Sequence, residues 1–221
     1  MARNATDIYK VFAVDMQWRC LPPRSPVVKS HPIQVVKTSP IKIHRALEGL
    51  LTAVRACRAR NAHRPLGPRP VVQVGMPARV PVVGQAPVAE VHASTVPWDD
   101  KSGERLRDWK GIDSETSCDK TRIAILPLGY CCPGRAVSDD LPPRRECAEL
   151  WLDHLLAKLP QIELTLLVGQ CAQTHFLRGK GHASVTAATR DWRAHAPAIT
   201  PLPHPPPRNV AMVHGQSLVR R

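Results

Sequence analysis

Acid is what this chain is short of. Its 221 residues hold 18 Asp and Glu against 31 Lys and Arg, and none of the 18 falls between residues 16 and 47. The resulting formal charge of +13 disfavours basic partners and favours a polyanion, because Lys and Arg are drawn to phosphate whatever its sequence. Aromatic residues are scarce as well, at 4%, and together with 23 prolines this argues against dense packing along the whole length. No run of about 18 apolar residues occurs, which excludes a membrane-spanning helix by that criterion. No apolar core precedes a small-residue cleavage site, so no secretory signal is read, and the odd count of seven cysteines speaks against a secreted disulfide framework. Internal repeats are absent. What remains is enough for one domain with a core: 43% of the residues are hydrophobic.

The chain divides into three parts. Residues 1–44 form the first, and the acid-free stretch 16–47 carries Arg19, Arg24, Lys29, Lys37, Lys42 and Arg45, loosely like a transit peptide, but Pro22, Pro23, Pro26, Pro32 and Pro40 spoil the amphipathic helix such a peptide needs. This part is expected to be a disordered extension. Residues 45–209 form the expected domain, and residues 210–221 a short tail lacking an apolar closing helix. In the domain, Leu47, Leu50, Leu51 and Val54 mark one helical face leading to Cys57. Strands are expected at Val80 to Val83, Arg122 to Leu126, Leu164 to Val168 and Ile199 to Leu202. Helices are expected at Gly103 to Lys110, around Cys147 to Leu155, at Cys171 to Leu177 and at Val185 to His195. Alternating strands and helices predict an α/β fold, a three-layer αβα sandwich around a short central parallel sheet.

Two short segments carry the chemistry. The β-branched run ending at Val83 breaks into Gly84-Gln85-Ala86-Pro87, a turn whose backbone N–H groups can form an anion-binding nest at the C-terminal edge of a sheet. Near the other end stands Leu202-Pro203-His204-Pro205. Taken alone, the first is ordinary turn chemistry and His204 an ordinary loop histidine.

Their order and spacing with Val96-Pro97-Trp98-Asp99-Asp100, Ser102-Gly103, Leu106-Arg107-Asp108-Trp109, Ile125-Leu126-Pro127, Asp140-Leu141-Pro142-Pro143-Arg144, Glu146-Cys147, Leu166-Leu167-Val168-Gly169-Gln170 and Pro207-Arg208-Asn209 give a stretch from about Arg45 to Asn209. It resembles the uracil-DNA glycosylase superfamily, specifically the bacterial branch related to its iron-sulfur (family-four) members. The resemblance implies base-excision repair: hydrolysis of the N-glycosidic bond of uracil or a related damaged base in DNA, by a cytoplasmic, monomeric enzyme. By the same resemblance, the Gly84, Gln85 and Ala86 turn and His204 surround the oxygen of the departing base. Pro87 completes the turn, Trp98 stacks on the flipped base, and Arg208 and Asn209 face the DNA. Ala86 stands where the most efficient members of the superfamily carry Asp. Glu90, His92 and Asp99 are then the nearby groups able to orient the attacking water, with His92 favoured. Asp99 and Asp100 also read as caps of the following helix, and Trp98 equally as a packing aromatic.

The resemblance further implies an iron-sulfur cluster held by Cys57, Cys131 and Cys147, the last two sixteen positions apart. The fourth ligand position is occupied by Arg60, which cannot replace a thiolate. An incomplete cluster or none is therefore the expectation, and buried cysteines of no special role are the plainer reading. Cys20, Cys118, Cys132 and Cys171 match no ligand position. Other departures from the family pattern are Val88 and Thr95 in place of Gly, Pro206 in place of Ser, and Pro127 where family four reads the uracil edge with Asn. A position that needed positive φ would make Val88 costly. These losses keep two other readings open: an inactive DNA-binding member of the superfamily, and an α/β module for a small nucleotide.

Overall fold

The computed structural model describes residues 39–59, 65–136, 140–179 and 184–205. Four strands, β1 (Val80–Val83), β2 (Ile123–Ile125), β3 (Thr165–Val168) and β4 (Ile199–Leu202), form one parallel sheet in the order β2-β1-β3-β4. Val82 is in register with both Ile125 and Leu166, and Val168 with Leu202. The strands are short and almost wholly buried, as parallel strands covered on both faces must be. Pro81 sits in an inner strand, where a missing N–H normally breaks the ladder. It is tolerated here because pairing with β3 starts one residue later, at Val82.

Side chains alternate between two cores. Val83, Ala124, Leu126 and Leu167 face one layer, made by Leu47, Leu51 and Val54 of helix α1 (Pro40–Arg55) with residues of the helices that flank β3. Val80, Val82, Ile123, Ile125, Leu166, Val168 and Leu202 face the other, against Leu106, Trp98 and Trp109. This is the expected αβα sandwich. Helix α1 begins at Pro40, inside the stretch expected to be disordered; proline suits a first helical turn because its absent N–H would have no partner there. Residues 1–38 and the tail lie outside the described residues.

Between β1 and β2 run α2 (Ala89–Ser94), α3 (Lys101–Lys110) and α4 (Ser114–Cys118). Asp100 caps α3 and Asp113 caps α4 through side-chain oxygens that accept backbone N–H bonds at 2.9 and 2.7 Å. The helix expected around Cys147 is a composite: α5 (Arg145–Cys147), a π-helical segment at Ala148–Leu152, then α6 (Asp153–Leu156). Helix α7 (Gly169–Leu177) follows β3 directly. Helix α8 (Val185–Arg190) stops five residues short of the expected end and passes into a 3-10 turn at Trp192–Ala194.

Candidate functional site

All four strands end at the same edge of the sheet, and chain direction reverses there, because β1 has its next strand on one side and β3 on the other. Open α/β sheets bind ligands in the crevice such a reversal leaves. Here it is a small cleft, partly open to solvent. Gly84, Ala86, Pro87 and Val88 form one wall, Val91, Pro97, Trp98 and Asp100 another; Ile125 and Pro127 after β2, Val71, and His204 after β4 complete it.

The Gly84–Pro87 turn is pinned from below. The carbonyls of Gly84 and Gln85 accept from the N–H groups of Leu128 and Gly129 at 3.0 and 2.9 Å. Among the described residues, no acceptor takes the N–H of Gln85 or Ala86, which leaves both donors for a ligand oxygen. The Gln85 side chain turns away from the cleft: its Nε2 donates to the Leu141 carbonyl at 3.4 Å and its Oε1 accepts from the Cys171 thiol at 3.7 Å. Gln85 is not among the residues lining the cleft, and its amide ties the turn to two neighbouring segments.

Trp98 lies against Gly84, so closely that a Cβ on Gly84 would stand 3.0 Å from the indole. Its backbone takes φ +59°, in the left-handed region. Two groups hold it there. Arg107 Nη1 donates to the Trp98 carbonyl at 3.0 Å, and Gly103 leaves room for that carbonyl, which an added Cβ would overlap. The rings of Trp98 and His204 are 6.0 Å apart and tilted by 38°.

His204 packs on Gly169, whose φ of +84° allows β3 to turn sharply into α7. A Cβ at Gly169 would come within 3.2 Å of the His204 Cβ. Burial lowers the pKa of His204 from its ordinary 6.5, and the carboxylates of Asp100 and Asp140 work against that shift. The net effect keeps the imidazole neutral around pH 7, a hydrogen-bond donor without a charge. Arg105 Nη1 donates to the Pro205 carbonyl at 2.9 Å and fixes the chain immediately after it.

His92, the residue favoured for water, is not among the lining residues. It lies behind the wall, buried to 7% exposure, with its own carbonyl accepting from Arg69 Nη1 at 3.1 Å. Burial lowers its pKa first, then the Arg69 charge, against a hydrogen bond to the Leu66 carbonyl. Glu90 and Asp99 are exposed and absent from the lining. Asp100 is the carboxylate that reaches the cleft. Sequence reasoning stopped at its capping role; its Oδ1 does cap α3, and the same carboxylate faces His204 as well. Val88 takes φ −77° and ψ 174°, ordinary extended backbone, so the side chain costs no strain and simply narrows the cleft.

Cys131 and Cys147 are buried and Cys57 is half-buried. Among the described residues, no three His, Cys, Asp or Glu side chains come together so as to hold a metal ion. Arg60, Arg208 and Asn209 lie outside the described residues. No described helix is long and apolar enough to cross a membrane.

Residues 72–217, well over half of the chain, match the family model described as the uracil DNA glycosylase superfamily.

Proposed function

Since the chain belongs to the uracil-DNA glycosylase superfamily, we propose that it hydrolyses the N-glycosidic bond of uracil or a related damaged base in DNA. The observation that carries this reading is the convergence of the Gly84–Pro87 turn, Trp98, Asp100 and His204 on one cleft at the C-terminal ends of the strands.

A base in a duplex must leave the stack before its glycosidic bond is accessible. Trp98 offers a face for stacking, worth about 1–3 kcal/mol per base. As the bond from C1′ to the base breaks, the electron pair goes to the base and negative charge builds on its carbonyl oxygen. Neutral His204 and the N–H groups of Gln85 and Ala86 are donors for that oxygen, fixed before the reaction and partly shielded from water. The sugar carbon, left electron-poor, takes a water oxygen. Asp100 orients that water and accepts its proton, while its negative charge favours the electron-poor sugar. Uncharged His204 avoids the cost of bringing two cations to one site. The high Lys and Arg content supplies attraction to the phosphate backbone without base preference.

The test is base release from a single-uracil oligonucleotide by the parent protein, His204→Ala and Asp100→Asn. Removing one preorganised donor costs about 10²- to 10³-fold in rate, and removing a general base about 10²- to 10⁴-fold. Both variants are expected to fall in that range with DNA affinity within about twofold of the parent. Unchanged release by His204→Ala removes His204 from the mechanism. DNA binding by folded parent protein without release of uracil or other damaged bases identifies a non-catalytic DNA-binding member of the superfamily.

A further inference from the structure

The first two turns of α7 touch both halves of the cleft. Gly169 supports the His204 ring. Cys171 donates its thiol proton to Gln85 in the motif turn at 3.7 Å, and burial, by raising the thiol pKa, keeps that proton in place. Gln173, only 4% exposed, donates from Nε2 to the Leu202 carbonyl at 2.8 Å. Leu202 ends β4, two residues before His204. Among the described residues the other end of the same amide, Oε1, has no hydrogen-bond partner. Burying a polar acceptor unpaired is costly, so the donor end is what justifies a glutamine at this point in the core.

Resting on the reading of His204 given above, we propose that Gln173 is a positioning residue for His204, and that α7 is the brace fixing the separation between His204 and the Gly84–Pro87 turn. The geometry requires a brace because β4 is an edge strand, paired on one side with β3, and two prolines, Pro203 and Pro205, flank His204 without N–H groups to anchor it. Gln173 supplies the missing anchor from the helix side, as Arg105 does from the opposite face at Pro205. Gln173 touches neither the cleft nor the reacting atoms, and acts through the position of His204.

Gln173→Met keeps the length of the side chain and deletes the donor. The expected result is a fall in kcat for base release of roughly 10- to 100-fold, since about 1 Å of misplacement carries that penalty, with KM changed by less than about threefold. A second readout does not depend on activity. Followed by NMR, the His204 imidazole of the parent is expected to titrate below 6.5, since burial lowers its pKa, and in Gln173→Met its midpoint is expected to move up toward 6.5 as the ring becomes better hydrated. Asp100 and Asp140, the charges that act on His204, are unchanged in the variant. Should Gln173→Met fail to fold, Gln173→Asn, which keeps the amide but withdraws it from Leu202, is read in the same two ways. A folded variant with kcat within about twofold of the parent and an unmoved His204 midpoint overturns the proposal. A parent that releases no base defeats the glycosylase reading instead, and the titration still decides whether Gln173 positions His204.

Discussion

Thr95 carries the conformational cost of a left-handed backbone. It ends α2 at φ +63°, and its N–H bonds to the Val91 carbonyl. The left-handed conformation suits glycine, and a β-branched residue there is strained. Val88, the other residue read as departing from a glycine of the family pattern, is relaxed. The two substitutions look alike in the sequence, and only the backbone angles separate them. Thr95→Gly is expected to stabilise the fold by about 1 kcal/mol, the scale of the penalty for a non-glycine residue in this region. Thermal unfolding of the variant checks it, and a lower midpoint than the parent's sinks the idea. Thr95 lies three residues before Trp98, so relief there should leave the Trp98 turn, with its own positive φ, in place.

Among the elements, those with a periodic apolar signal were legible and the brief ones were not. The run Val80 to Val83 and the run Ile199 to Leu202 gave β1 and β4 their observed ends, because each is a short apolar stretch bounded by turn residues. Helices α2 and α4, of six and five residues, passed unread: neither is long enough to show a face. The segment around Cys147 was legible as one amphipathic helix, but nothing in its pattern shows that Ala148–Leu152 is π-helical. In the cleft, Gly84, Trp98 and His204 were named through family resemblance. Asp100 was visible only as a cap, since a single residue can satisfy a helix end and face a cavity while the sequence shows the first role alone. Gln173 carries no motif, so its bond to Leu202 is a fact of packing. The loop from Trp98 to α3 is the element on which the cleft most depends, and Gly103 is its tightest point, where a Cβ would overlap the Trp98 carbonyl. Gly103→Ala is therefore expected to lower stability by about 1–3 kcal/mol, the range for overpacking a filled site, and to weaken base release by displacing Trp98. Equal stability and equal activity in that variant would mean that the loop can shift without consequence.

Over the whole molecule, the buried basic groups pull in one direction. His92 and His204 have pKa values lowered below 6.5 in the fold, each chiefly by burial. When such a group is more acidic folded than unfolded, the unfolded chain binds more protons in the window between the two values, and stability falls as pH drops through it. That window lies below pH 6.5. Lys110 has its pKa lowered from 10.5 to about 8, by burial and then by the Arg107 charge. The same sign applies, so its penalty is fully present below pH 8 and is relieved as pH rises toward 10.5. Cys171 and Tyr130 act oppositely: burial raises their pKa values above the ordinary 9 and 10, and as pH rises through those values the unfolded chain alone loses the two protons, which favours unfolding. The formal charge of +13 at pH 7 adds self-repulsion that fades as lysines neutralise. These terms together place the stability maximum above pH 6.5, on the neutral to alkaline side. Melting temperatures across pH 4 to 11 are expected to show it, with the limb below pH 6.5 flattened in His92→Gln. A maximum at or below pH 6 would contradict the burial of these groups, and an unaltered acid limb in His92→Gln would take His92 out of the account.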